Sequence, residues 1–135
     1  MKTTLRILAL CMVAVLMVGV LAACAPNKDP DKAVAALKKN EYTAAKDSSI
    51  IPAALTLTGV KGVDCVVTGT KTVEKDGEKT TESVIIIYFT DSSSAKEAME
   101  KVKSYYENDK DAKEDWKQSG KILYSGTKAA VKAAH

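Results

Sequence analysis

VDCVVTGTKTVE (63–74), KDGE (75–78) and KTTESVIIIYFT (79–90) are the stretch that decides the fold. Two extended runs rich in β-branched residues, joined by Asp76-Gly77, make a β-hairpin, because a two-residue loop needs positive φ angles that aspartate and glycine accept. With that loop, opposed residue numbers sum to 153, and the register can be checked against charge. Lys75 then faces Glu78, Glu74 faces Lys79 and Lys71 faces Glu82, each an opposite-sign cross-strand pair. Side chains alternate along a strand, so the same register sorts two faces. Val63, Cys65, Val67, Val84, Ile86 and Tyr88 form an apolar face that belongs on a core. Asp64, Val66, Thr68, Thr70 and Thr72, with Ile85, Ile87 and Phe89, form a mixed one on which Asp64 is opposite Phe89.

Upstream of the hairpin, Asp29-Pro30 supplies a cap and a first-turn residue for a helix through Ala33, Val34, Ala36 and Leu37, ending near Asn40. Glu41 to Lys46 alternates weakly and reads as a first strand. Asp47, Ser48 and Ser49 offer caps for a second helix carrying an apolar stripe of Ile50, Ile51, Ala54, Leu55 and Leu57, with Pro52 in its first turn and Gly59 at its end. Downstream, Ser94 and Glu97 stand at capping-box spacing for a third helix. Its apolar side is Ala95, Ala98, Met99, Val102, Tyr105 and Tyr106, and Glu97 and Lys101 are ordered for an i, i+4 pair. Residues 107–118 read as a solvated charge run, residues 121–125 as a last strand and Thr127 as the cap of a short final helix. Between the terminal helices the order is strand, helix, strand, strand, helix, strand. This is α+β, the ferredoxin-like βαββαβ order, with an antiparallel sheet and helices on one face. The run Ile85 to Phe89, apolar on both sides, suits its central third strand.

Ahead of this domain the chain changes character. Lys2 and Arg6 precede an apolar run of 17 residues from Ile7 to Ala23, and the sequence then turns polar at Ala25-Pro26-Asn27-Lys28-Asp29-Pro30. That layout is a secretory signal rather than a fold element. The run is at the short edge of a bilayer span. However, the small pair Ala22-Ala23 before Cys24 suits the narrow pockets of a signal peptidase, and an uncleaved membrane helix has no use for it there. Leu21-Ala22-Ala23-Cys24 resembles the lipobox of bacterial lipoproteins at all four positions. The resemblance implies that residues 1–23 are removed as a signal peptide and that Cys24 carries covalent diacylglycerol and fatty acid such as palmitate. It also places the protein as a lipid-anchored partner of the cell membrane, on the extracytoplasmic side. Two or more fatty chains, at about 0.8 kcal/mol per buried methylene, anchor a protein stably. Residues 24–30 then form a tether and residues 31–135 a single domain, with the six residues 25–30 reaching at most ~20 Å.

Removing 23 of the 135 residues leaves 112, enough for one domain with a modest core. Lys2 and Arg6 leave with the leader, so 18 of the 20 basic side chains remain against 17 acidic ones, a net of +1. Such a balance lacks the basic footprint that nucleic acid requires. Of three cysteines, Cys11 is discarded and Cys24 is consumed by lipid, which leaves Cys65 without a disulfide partner. Its place in a strand marks it as a packed thiol rather than a reactive one.

The single histidine, His135, is the last residue, which argues against histidine acid–base catalysis and most transition-metal sites. Asp109-Lys110-Asp111-Ala112-Lys113-Glu114 begins like a calcium loop, but lysine and glutamate stand where a ligand and the turn glycine belong. Gly59-Val60-Lys61-Gly62 lacks the helix-opening serine or threonine of a phosphate loop and reads as a turn. Asp64 has no second carboxylate opposite it and reads as buried and paired at a strand entry. No catalytic residue, metal site or cofactor beyond the lipid is expected. The function that follows is a non-enzymatic binding or assembly module. Its candidate surface for a protein partner or a second copy is Val66, Ile85, Ile87 and Phe89 on the mixed sheet face, with Trp116. Burial of that face under Val34 and Leu37 of the first helix, or Val131 of the last, is the competing reading. A small-ligand-binding envelope protein with a sheet–helix pocket is the alternative function, and a carboxylate-based enzyme the third.

Overall fold

A computed structural model of the chain describes residues 25–105 and 116–135. The lipobox residues Leu21 to Cys24, Tyr106 and the stretch 109–114 lie outside the described residues, as does the side chain of Tyr105. In order, the elements are α1 (Pro30–Lys39), β1 (Thr43–Asp47), α2 (Ile50–Leu57), β2 (Val63–Lys75) and β3 (Glu78–Phe89), then α3 (Ser92–Tyr105), β4 (Trp116–Ser119), β5 (Ile122–Gly126) and α4 (Lys128–Ala133).

Short polar side chains start the helices. Asp29 accepts the backbone N–H of Asp31 at 2.9 Å with Pro30 in the first turn of α1. Asp47 accepts three N–H groups at the head of α2, from Ser49, Ile50 and Ile51 at 2.9, 3.1 and 2.8 Å. Those bonds hold its carboxyl below the ordinary carboxylate range. At α3 the cap is Asp91, which accepts Ser94 N–H at 2.7 Å, rather than the expected Ser94–Glu97 box. Glu97 does pair with Lys101, at 3.9 Å. Thr127 precedes α4 but makes no side-chain cap bond.

The hairpin keeps the expected register from Lys75↔Glu78 to Cys65↔Tyr88, around Asp76 at φ +52° and Gly77 at φ +80°. It departs at one place: Val63, not Asp64, pairs with Phe89, so Asp64 is an extra residue in a bulge. The slip turns Val63 onto the second face, and Asp64 is exposed rather than buried. Edge strand β1 follows β2 only from Val66 to Thr70, and β5 follows β3 only from Val84 to Tyr88. Residues 71–83 therefore extend as a two-stranded arm beyond the sheet.

The five strands are ordered β1-β2-β3-β5-β4, all neighbours antiparallel. This is α+β, but the ferredoxin-like order is corrected: β1 lies beside β2, where that fold would set β3 between them. Residues 48–62, which include the short helix α2, return the chain beside the strand it has just left, so β2 runs antiparallel to β1, with Asp47 opposite Val66. A split βαβ unit does occur once, because β3 and β4, joined through α3, both run antiparallel to β5 between them. The edge strand β4 was not expected from the sequence.

Helices cover both faces of the sheet, not one. On the first face, Ala33 and Leu37 of α1 and Ala130 and Val131 of α4 pack on Cys65, Val67, Val84, Ile86, Tyr88 and Ile122. On the second, Ile51 and Leu55 of α2 and Ala95, Ala98, Met99 and Val102 of α3 pack on Val66, Ile87, Phe89 and Leu123. A hairpin apolar on both sides needs two lids. Gly69 lets α1 approach: a Cβ there would stand 2.9 Å from Leu37 Cδ1.

Candidate functional site

The first described residues, from Ala25 onward, are fastened down. Ala25 packs against the first core cluster and Pro26 is buried. Asn27 N–H donates to Ala134 O at 2.8 Å, and Tyr88 Oη donates to Asn27 O at 2.7 Å. Tyr88 is on the core face, as the register requires, and a buried phenol needs a polar partner. It finds one in the irregular segment at Asn27, and burial pushes its hydroxyl well above the ordinary tyrosine range. His135 closes the arrangement with its Nδ1 2.9 Å from Ala25 O. The C-terminal histidine is thus held to the entering segment. Residues 25–27, expected to be part of a tether, are packed and hydrogen-bonded to the domain.

Beside this entry, α1 and α4 leave an open groove of about 420 Å³ lined by Ala36, Lys39, Asn40, Lys132, Ala133 and His135. Asn40 Nδ2 reaches across it to Ala133 O at 3.5 Å. The floor is small and apolar, the rim cationic.

The sheet face proposed for a partner is closed. Val66, Ile87 and Phe89 are 0, 5 and 4% exposed and Ile85 is half-buried. They lie beneath α2 and α3, not beneath Val34, Leu37 or Val131. Trp116 is half-buried as the first residue of β4 and packs over the rim of the same cluster. Apolar exposure lies instead on α2, where Ile50 and Leu57 are 78 and 89% exposed. Ile51 and Leu55, four apart, share the buried side of that helix, while Ile50 and Leu57, seven apart, share the outer one.

Several other titratable groups have structural roles. Burial, with Asp64 nearby, pushes the Cys65 thiol up, which disfavours the reactive thiolate. Near the base of the hairpin arm, Tyr42 Oη donates to Glu82 Oε2 at 2.6 Å; burial first, then that carboxylate, push the tyrosine up to about 12. Lys71 Nζ stands 5.4 Å above the Tyr42 ring and donates to Asn40 O at 3.0 Å. Gly59 and Gly62 form a turn with positive φ, Lys101 Nζ bonding Gly59 O and Thr90 N–H bonding Gly62 O. Among the described residues no group of three or more His, Cys, Asp or Glu is placed to share a metal ion, and no helix is long and apolar enough to cross a membrane.

The chain matches no protein-family model, no curated protein and no solved structure.

Proposed function

We propose that the chain is an extracytoplasmic lipoprotein, a non-enzymatic binding or assembly module held on the membrane through acylated Cys24. The observation that carries this is the abutment of two features. Leu21-Ala22-Ala23-Cys24 has the residues that lipidation and cleavage require, and the very next residue, Ala25, already belongs to a packed domain. Cleavage before Cys24 leaves every described residue in place, and it sets the acyl chains beside the folded surface. A core built without any disulfide suits such a domain only if burial alone suffices. Two separate apolar clusters, one on each side of the sheet, supply it.

Both sheet faces are occupied, so in this reading the domain meets partners through the outer sides of its helices or through the hairpin arm. Anchoring is tested by expressing the full chain in a lipoprotein-processing bacterium with labelled palmitate. The expected product begins at Cys24 and carries the label, whereas Cys24→Ala accumulates as unlabelled precursor. A mature chain that starts at any other residue, or that carries no fatty acid, refutes the proposal.

A further inference from the structure

The helical layer formed by α1 and α4 differs from the other in charge. In residues 25–40 and 127–135 there are six lysines, Lys28, Lys32, Lys38, Lys39, Lys128 and Lys132, all exposed. Against them stand Asp29 and Asp31, the first spent on capping α1 and the second paired with Lys46 at 2.7 Å. On the opposite layer α2 has no charged residue, and α3 mixes Lys96, Lys101 and Lys103 with Glu97 and Glu100. The chain from Cys24 onward has 18 basic and 17 acidic side chains, so the excess on this one layer is offset by the rest of the molecule. The lysines are also aligned. Lys32 and Lys39, seven apart, share one side of α1, and Lys128 and Lys132, four apart, share one side of α4. Lys39 and Lys132 line the groove between the helices.

This layer is also where the chain leaves toward Cys24. Ala25 is bonded to His135, itself a lining residue of that groove. We infer that the α1–α4 face lies against the membrane and that its lysines and groove receive the phosphate headgroups of anionic phospholipid. The inference rests on the anchoring through Cys24 proposed above. The attachment point brings this face to the bilayer, because Ala25 and Asn27 are pinned and leave no leash on which the domain can turn over. Clustered lysines at such a surface are drawn to an anionic leaflet. The acyl chains hold the protein; the lysines set which way it faces.

The test uses the processed, acylated full chain in vesicles of phosphatidylcholine alone or of two parts phosphatidylcholine to one part phosphatidylglycerol, with a headgroup-bound nitroxide quencher. A fluorophore is placed on a single introduced cysteine at exposed Ala35 on α1 or exposed Ala54 on α2, Cys65 being buried. The label at position 35 is expected to be quenched several-fold more than that at 54 in anionic vesicles. Lys39→Glu with Lys132→Glu should shift the lipid-facing orientation by at least about tenfold and erase the difference. Equal quenching at the two sites in vesicle-bound protein overturns the inference and leaves the anchor standing. A difference that persists undiminished in phosphatidylcholine alone, or in the double variant, overturns the headgroup role. Protein that fails to float with either vesicle removes the anchor and this inference together.

Discussion

Replacing Tyr88 by phenylalanine tests how firmly the entering segment belongs to the domain. The ring is buried, 4% exposed, and the phenyl group of Tyr88→Phe occupies the same space, so packing is retained. What goes is the Oη donor to Asn27 O, now 2.7 Å away. A partly buried carbonyl left without its partner costs about 1–2 kcal/mol. For a domain of this size each 1 kcal/mol lowers Tm by about 4–8 °C, so a drop of about 4–15 °C is expected by calorimetry. The local effect discriminates better. Asn27 N–H, bonded to Ala134 O at 2.8 Å, should exchange with deuterium faster in Tyr88→Phe by about the same free energy as the global loss or more, since the segment can open by itself. Unchanged exchange at residues 27–29 with an unchanged Tm would refute the claim that this bond fastens the chain at its entry.

Gly69→Ala should destabilise by about 1–3 kcal/mol through crowding against Leu37 Cδ1. Leu37→Ala alone should cost about 2–5 kcal/mol, and the double variant less than the two combined, as urea titrations will measure. Native Tyr42 holds its proton up to about 12 while the unfolded chain releases it near 10. Its contribution is therefore complete below pH 10 and lost as pH rises through about 12, so the urea midpoint should fall across that window and fall less in Tyr42→Phe. Cys65, buried and with its thiol pushed up, should resist maleimide in the native protein and react in denaturant; rapid native labelling detected by intact mass would contradict the packing described.

The hairpin was legible because three charge pairs and two alternating faces point to one register, and no slip by one residue satisfies them all. The bulge was not, because Asp64 inserted between Val63 and Cys65 preserves the look of alternation. Strand order escaped for a related reason: a pattern says which side of a strand is buried and not which strand lies beside it. Trp116-Lys117-Gln118-Ser119 hid an edge strand at the end of a charged run, with a single apolar residue to mark it. Of the candidate site, the lipobox resemblance around Cys24 was readable from its neighbours, and its lipidation stands as a proposal. The fastening of residues 25–27 was not, since it is made largely through main-chain groups, which leave no mark on composition. Half a signal existed in Tyr88, a hydroxyl sent to a core face.

The overhang of the long hairpin also divides the molecule in time. From Lys71 to the Asp76-Gly77 turn, five residues of β2 at ~3.3 Å each run on with no strand beside them but β3. Two strands alone are only marginally stable in water. Their far tip should therefore open and close many times while the five-stranded part, lidded on both faces, stays shut. A restless finger thus stands at the end of the hairpin away from Tyr88, and so away from the place where the chain is fastened.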